Sequence, residues 1–221
     1  MKFRTTWLLL GLSALLAGIF LVLTSEMLEA TAGQNELIGR IDHALLESLA
    51  RLRTPALNEA AINLTALGSG VALTIIVSLA SAVLFLMKFW RPAFQLIFSG
   101  FGSAILTYAL KSHFERARPE ILSHVVDVAG YSYPSGHSLS SAAVYFTIAI
   151  LCGEQIASHA GRAVAVLLMV TLIIAIGVSR LYLGVHYFSD VSAGILLGVA
   201  WAALLASIAA MLPQRKALGP L

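Results

Sequence analysis

From position 179 to position 190 the chain reads Ser179-Arg-Leu-Tyr-Leu-Gly-Val-His-Tyr-Phe-Ser-Asp190, which sets a cation, an imidazole and a carboxylate between two strongly apolar runs. The run before it, Ala163 to Val178, and the run after it, Val191 to Leu212, carry no charged residue. Apolar stretches of about 17 to 25 residues read as membrane spans, so this polar dozen marks a membrane boundary. Ionisable groups at such a boundary are costly to desolvate, and each needs a partner or a task. If the chain is helical from His186 onward, Asp190 lies at i+4 and can fix the orientation and tautomer of the ring. Gly184 lets the chain turn, so that Arg180 can hold an anion in front of His186.

Working outward, 59% of the 221 residues are hydrophobic and 11% are charged, against about a quarter charged in soluble domains. This is the composition of an integral membrane protein. Six spans are expected: Trp7 to Leu23, Leu64 to Met87, Pro92 to Leu110, Ser138 to Cys152, Ala163 to Val178 and Val191 to Leu212. The fourth and fifth reach full length if their helices include the polar residues at their ends. Long uninterrupted runs exclude barrel strands, so the fold class is an all-α polytopic helix bundle, one integral membrane domain over residues 1–221. The single cysteine, Cys152, permits no intrachain disulfide.

With the N-terminus inside, cytoplasmic segments carry Lys2, Arg4, Lys88, Arg91, Arg162, Arg215 and Lys216 against Glu154 alone, a net +6. The opposite face nets −3. Both termini are therefore expected in the cytoplasm. The basic balance reflects membrane orientation, and no basic patch interleaved with aromatics points to a nucleic-acid partner. Met1 to Leu23 could be a signal peptide cleaved near Ala30-Thr31-Ala32, but its 17-residue apolar run exceeds a usual signal core, and an uncleaved first span is expected.

Between the first two spans, Leu37, Ile38, Ile41, Leu45, Leu49 and Leu52 recur at helical spacing. They predict an amphipathic helix on the outer surface, with Asp42 and His43 as solvated groups. Capping the bundle and guiding a lipid toward the site are the alternatives. In the third span Gly100, Gly102 and Ser103 predict close helix packing.

Past that span come Lys111, Arg118-Pro119 and then Tyr133-Pro-Ser-Gly-His137 at the head of the fourth span. Loops one, three and five share a side, so Lys111, Arg118, His137, Arg180, His186 and Asp190 can converge on one outward-facing pocket. Three cations suit a phosphate, and planar guanidinium groups pair two of its oxygens at once. A helix starting at Pro134-Ser135-Gly136 adds free backbone N–H groups, and Gly136 lets the anion approach the main chain. Neutral His186 could then attack phosphorus while His137 protonates the leaving oxygen.

Lys-x6-Arg-Pro at Lys111 to Pro119, Pro-Ser-Gly-His at Pro134 to His137 and Ser-Arg-x5-His-x3-Asp at Ser179 to Asp190 resemble the three signature motifs of the type 2 phosphatidic acid phosphatase superfamily. The similar bacterial groups are the six-span phosphatidylglycerophosphate phosphatase B enzymes and related undecaprenyl pyrophosphate phosphatases. The resemblance implies His186 as nucleophile, Asp190 as its partner and His137 as acid. It further implies Lys111, Arg118, Ser135, Gly136 and Arg180 as phosphate ligands, with no metal and no cofactor. The expected partner is a membrane lipid substrate in a bacterial plasma membrane. The tail, the number of phosphates and the oligomeric state stay open.

Taken singly, an arginine or lysine at a membrane interface is usually a snorkelling anchor, and His186 with Asp190 could be a helix-stabilising pair. Neither reading explains why three cations accompany two histidines. Those cations also oppose a divalent ion at His137, His186 and Asp190. His113, His124 and His159 read as structural or solvated, Arg116 and Glu115 as pairing with one another or with the loop, and Ser132 and Ser138 as helix-start hydrogen bonders. A lipid phosphotransferase using the same intermediate, or an anion transporter, are the competing functions.

Overall fold

The protein is described here from a computed structural model covering residues 2–33, 36–120 and 123–212. Of the basic residues that bear on orientation, Arg215, Lys216 and the side chains of Lys2 and Arg4 lie outside the described residues. Within the described residues the regular elements are eight α-helices: α1 (Lys2–Thr31), α2 (Glu36–Ala50), α3 (Pro55–Ala66), α4 (Gly70–Leu86), α5 (Trp90–Phe114), α6 (Gly136–Gln155), α7 (His159–Tyr182) and α8 (Phe188–Met211). The all-helical bundle expected from the apolar runs is what forms.

Five of these helices, α1, α5, α6, α7 and α8, are each long and apolar enough to cross a membrane. The remaining span, expected as one helix from Leu64 to Met87, is instead two helices, α3 and α4, that meet at 42°. Its sequence starts a helix twice. Thr54 accepts a hydrogen bond from the Leu57 N–H ahead of Pro55, and Ser69 accepts one from the Ala72 N–H, each a helix-start signal. The elbow sits against α7, where a Cβ on Gly68 would lie 2.6 Å from the Ile176 side chain.

α6 is the enclosed helix of the bundle, with Leu139, Ala142, Ala143 and Val144 fully buried. It meets α8 through a seam of small residues, and a Cβ on Gly198 would lie 2.4 Å from the Leu139 carbonyl oxygen. Backbone contact this close is how membrane helices gain packing energy without a hydrophobic driving force. Close packing also occurs at the third span: the Gly102 backbone lies against the Trp201 ring, and Ser103 reaches Ser140 of α6 at 3.3 Å. On the outside, Val71, Ile75, Leu79 and Val83 of α4 repeat every four residues and are exposed, the stripe a helix presents to lipid.

The expected amphipathic helix is α2, but it caps the bundle, packing on α1, α7 and α8. Its inward face carries Asp42 and Leu46, each 1% exposed, while Ile41 and Leu45 stay on the outside. Asp42 is therefore not a solvated surface group. Its carboxylate accepts from the Ser189 N–H at 2.8 Å, from the Ser189 hydroxyl at 2.6 Å and from Arg116 at 3.0 Å. His43 is exposed, as expected.

Candidate active site

The ends of α5, α6, α7 and α8 and the loops between them meet at the face capped by α2. At the end of α7, Arg180 is 4% exposed, and its Nη1 donates to Thr65 Oγ1 of α3 at 3.1 Å. Its buried Nε has no hydrogen-bond partner among the described residues. An unmatched buried guanidinium donor is costly, and an anionic oxygen is the group that satisfies it. Beyond Arg180 the chain turns at Gly184, whose φ of +78° favours glycine. Arg53 crosses this turn and donates to the carbonyls of Tyr182 and Ser123.

His186 stands two residues before α8, not within it. Asp190 still reaches it, because it occupies the first turn of α8 and its carboxylate bends back over the helix start. Oδ2 accepts from the Tyr187 N–H at 2.9 Å, from the Ser132 hydroxyl, and lies 3.3 Å from His186 Nδ1. Oδ1 accepts from Arg116 Nη1 at 2.5 Å. With Nδ1 turned to the carboxylate, Nε2 faces the other way, 3.4 Å from Arg118 Nη1. Burial pushes the His186 imidazole down to about 4, Asp190 opposing this and the Arg180 and Arg118 charges reinforcing it. At neutral pH the ring is uncharged, with a lone pair on the nitrogen that faces the cations.

Arg118 is tied to the carbonyls of Gly130 through Nε, Ala129 through Nη2 and Val185 through Nη1, the last of which also lies beside His186. Lys111, in the last turn of α5, donates to the carbonyls of Tyr131 and Ser132. Its Cε lies 4.0 Å from where a Cβ of Gly136 would be, and Thr107 Cγ2 only 2.9 Å. Gly136 thus admits α5 to the head of α6, a packing reason beside the expected approach of an anion to the backbone. The Ser135 N–H is already engaged, donating to the Asp190 carbonyl at 3.0 Å. His137, in the first turn of α6, lies within electrostatic reach of Arg180, His186, Lys111 and Arg118.

All eight residues expected from the sequence therefore come to one place. Three others join them. Arg116, expected to pair with Glu115 or with the loop, meets the loop through its carbonyl, which accepts from the Ser132 N–H at 2.8 Å, while its guanidinium bridges Asp42 and Asp190 and lies 4.2 Å from the centre of the Tyr187 ring. Glu115 ends α5 in a left-handed conformation, φ 47°, and hydrogen-bonds with the Tyr131 side chain. Ser132 is not a helix-start residue, since α6 begins at Gly136; it is fully buried against Asp190 and lies 3.4 Å from His186 Nδ1. Asp42 carried a legible signal, a carboxylate on the same helical face as Ile38 and Leu46. Among the described residues no group of three or more His, Cys, Asp or Glu side chains is arranged to hold a metal ion.

A cavity of about 520 Å³ opens among α4, α5 and α6, lined by Leu73, Val77, Ile97, Phe101 and Val144. Its lining also includes Ser140, one turn along α6 from His137.

Residues 63–213 match the PAP2 superfamily. Phosphatidylglycerophosphatase B of Bacillus subtilis is 32% identical over 172 residues, 77% of this chain and 84% of that protein. The decaprenylphosphoryl-5-phosphoribose phosphatase of Mycobacterium tuberculosis is 30% identical over 119 residues, 54% of this chain and 60% of that one. The crystal structure of a transmembrane PAP2-type phosphatidylglycerolphosphate phosphatase from Bacillus subtilis superposes with a TM-score of 0.79 at 27% identity, covering 89% of this chain and 94% of that one. Aquifex aeolicus LpxE, at 23% identity and a TM-score of 0.61 over 75% of this chain and 94% of its own, shares the fold. A match that runs through both histidine segments and most of the bundle leaves one assignment: the chain belongs to the PAP2 superfamily and is a membrane lipid phosphatase.

Proposed function

We propose that the protein hydrolyses the phosphate monoester or diphosphate of a membrane lipid through a phosphohistidine at His186. The observation that carries this reading is the buried His186–Asp190 pair, with Nε2 turned toward Arg118 and Nδ1 toward the carboxylate. In the first step Nε2 forms a bond to phosphorus, the bond to the leaving oxygen breaks, and His137, whose cationic form is favoured by the negative charge of the bound phosphate, supplies the proton that oxygen takes. In the second step His137 withdraws a proton from water, which attacks the phosphorus and returns His186. Arg118, Arg180, Lys111, Ser135 and Gly136 hold the equatorial oxygens, with the positioning and electrostatic stabilisation that phosphoryl transfer requires. The concentration of positive charge favours a substrate anion over a divalent cation.

The apolar cavity below His137 suits one or more lipid tails, reached sideways from the bilayer. Candidate headgroups are phosphatidylglycerol phosphate, phosphatidic acid, diacylglycerol pyrophosphate, undecaprenyl pyrophosphate and the phosphoribose phosphate of a polyprenyl carrier. Charge asymmetry supports cytoplasmic termini and a site on the extracytoplasmic side of a bacterial plasma membrane.

Phosphate release from this set in detergent, with excess chelator and with His186→Ala alongside, tests the reading. Release by the native protein alone supports it and ranks the lipids. A metal requirement, or an active His186→Ala, contradicts it.

A further inference from the structure

The reaction as written leaves Asp42 and Arg116 without a task, yet both are held inside the site wall. Arg116 Nη1 donates to Asp190 Oδ1 at 2.5 Å and to Ser189 Oγ at 2.7 Å, while Nη2 donates to Asp42 Oδ2 at 3.0 Å. Asp42 in turn accepts both the N–H and the hydroxyl of Ser189, the residue before Asp190. A continuous chain thus runs from α2 through Arg116 and Asp190 to the His186 ring. Burial is nearly complete along it, with exposures of 1%, 0% and 2% for Asp42, Asp190 and His186.

One guanidinium shared between two carboxylates gives a set of net charge −1. That charge matters when His186 becomes cationic on bonding to phosphorus. Without Asp42, Arg116 would serve Asp190 alone and neutralise the partner the ring depends on. Buried ion pairs are weak contributors to stability, and specifying geometry is the better-attested use of such groups.

We propose that Asp42 and Arg116 are positioning residues for phosphoryl transfer, holding Asp190 in place and leaving it the net negative charge that His186 requires. This rests on the reading of His186 as nucleophile. It also makes α2 part of the catalytic apparatus, because Asp42 ties that helix directly to the Arg116–Asp190 pair.

The test uses the full chain in detergent with one lipid phosphate that the native protein hydrolyses. The variants are Asp42→Asn, Arg116→Gln and the double variant, with His186→Ala as control. Asp42→Asn takes the set from −1 to 0, Arg116→Gln takes it to −2, and the double variant restores −1. All variants retain Lys111 of α5, Arg118 and Tyr133 of the loop between α5 and α6, His137 of α6, Arg180 of α7 and Tyr187 at the start of α8, charged and titratable groups that also face His186 or Asp190.

Asp42→Asn is expected to lower kcat by about ten-fold with KM within about two-fold, and to move the acid limb of kcat/KM to lower pH. Arg116→Gln is expected to move that limb to higher pH. The double variant should return it to the native position and recover part of the lost kcat, a non-additivity that measures coupling. A purely structural role would lower melting temperature and yield without moving the limb in opposite directions. Asp42→Asn with native kcat and an unmoved limb, beside an inactive His186→Ala, overturns this proposal and leaves the phosphohistidine reading standing. Activity in His186→Ala overturns both. Should Asp42→Asn fail to fold, Arg116→Gln and the double variant decide the matter: coincident limbs contradict the proposal, and a limb returned to native supports it.

Discussion

Asp190 reaches His186 from inside the first turn of α8, Oδ2 to Nδ1 3.3 Å, although the histidine stands outside the helix. The spacing of four is thus met by a carboxylate folding back over a helix start, not by two side chains on one helical face. The same oxygen accepts the Tyr187 N–H and the Ser132 hydroxyl, so its direction is fixed by three donors. Asp190→Asn presents an amide where a carboxylate set the ring's tautomer. It should lower kcat by about 10³-fold or more with little change in KM, the size of loss seen where a histidine base loses its carboxylate. Steady-state kinetics on folded variant protein checks this, and a loss below ten-fold contradicts it.

The depressed value of His186 also predicts how stability varies with pH. In the folded chain the ring titrates near 4, below its ordinary 6.5. Between those values the unfolded chain binds a proton that the folded chain does not. The contribution is therefore present above pH 6.5 and is lost as pH falls toward 4. The melting temperature in detergent should fall more steeply between pH 6.5 and 4.5 for the native protein than for His186→Gln. Parallel curves would contradict the assignment.

Arg180 offers a donor, its Nε, that the described residues leave unmatched. Arg180→Lys keeps the charge but removes the planar fork. It should lower kcat/KM by about 10²-fold, or about 3 kcal/mol of transition-state stabilisation, and weaken inhibition by inorganic phosphate. Unchanged phosphate inhibition would mean that this side chain does not touch the anion.

Gly198 marks the closest approach of α8 to α6. A methyl group there would lie 2.4 Å from the Leu139 carbonyl oxygen. Gly198→Ala should force the helices apart and destabilise the fold by about 1–3 kcal/mol, as overpacking commonly does. A thermal scan showing no loss of melting temperature would show that the seam is looser than described.

Much of this was legible in the sequence because cost exposes purpose in a membrane: Lys111, Arg118, His137, Arg180, His186 and Asp190 stand beside apolar spans, where ionisable groups need a reason. Alternation of spans then placed them on one face. Tertiary partnership was harder to see. Asp42 and Arg116 are 74 residues apart, and no local pattern joins them, although a carboxylate on the buried face of an amphipathic helix signals a partner somewhere. Ser132 takes its role from the loop that brings it under Asp190. The break at Gly68 was concealed by hydropathy, which runs unbroken across the elbow while Ser69 starts a second helix.

The central claim is that phosphorus is bonded to His186 during turnover, and a quenched-flow experiment with lipid labelled in the scissile phosphate tests it most directly. The native protein should yield a protein-bound, acid-labile and base-stable label that appears before free phosphate reaches its steady rate and maps to the peptide containing His186. His186→Ala should show none. Rapid turnover by the native protein with no bound label, or a label that persists in His186→Ala, would contradict the account.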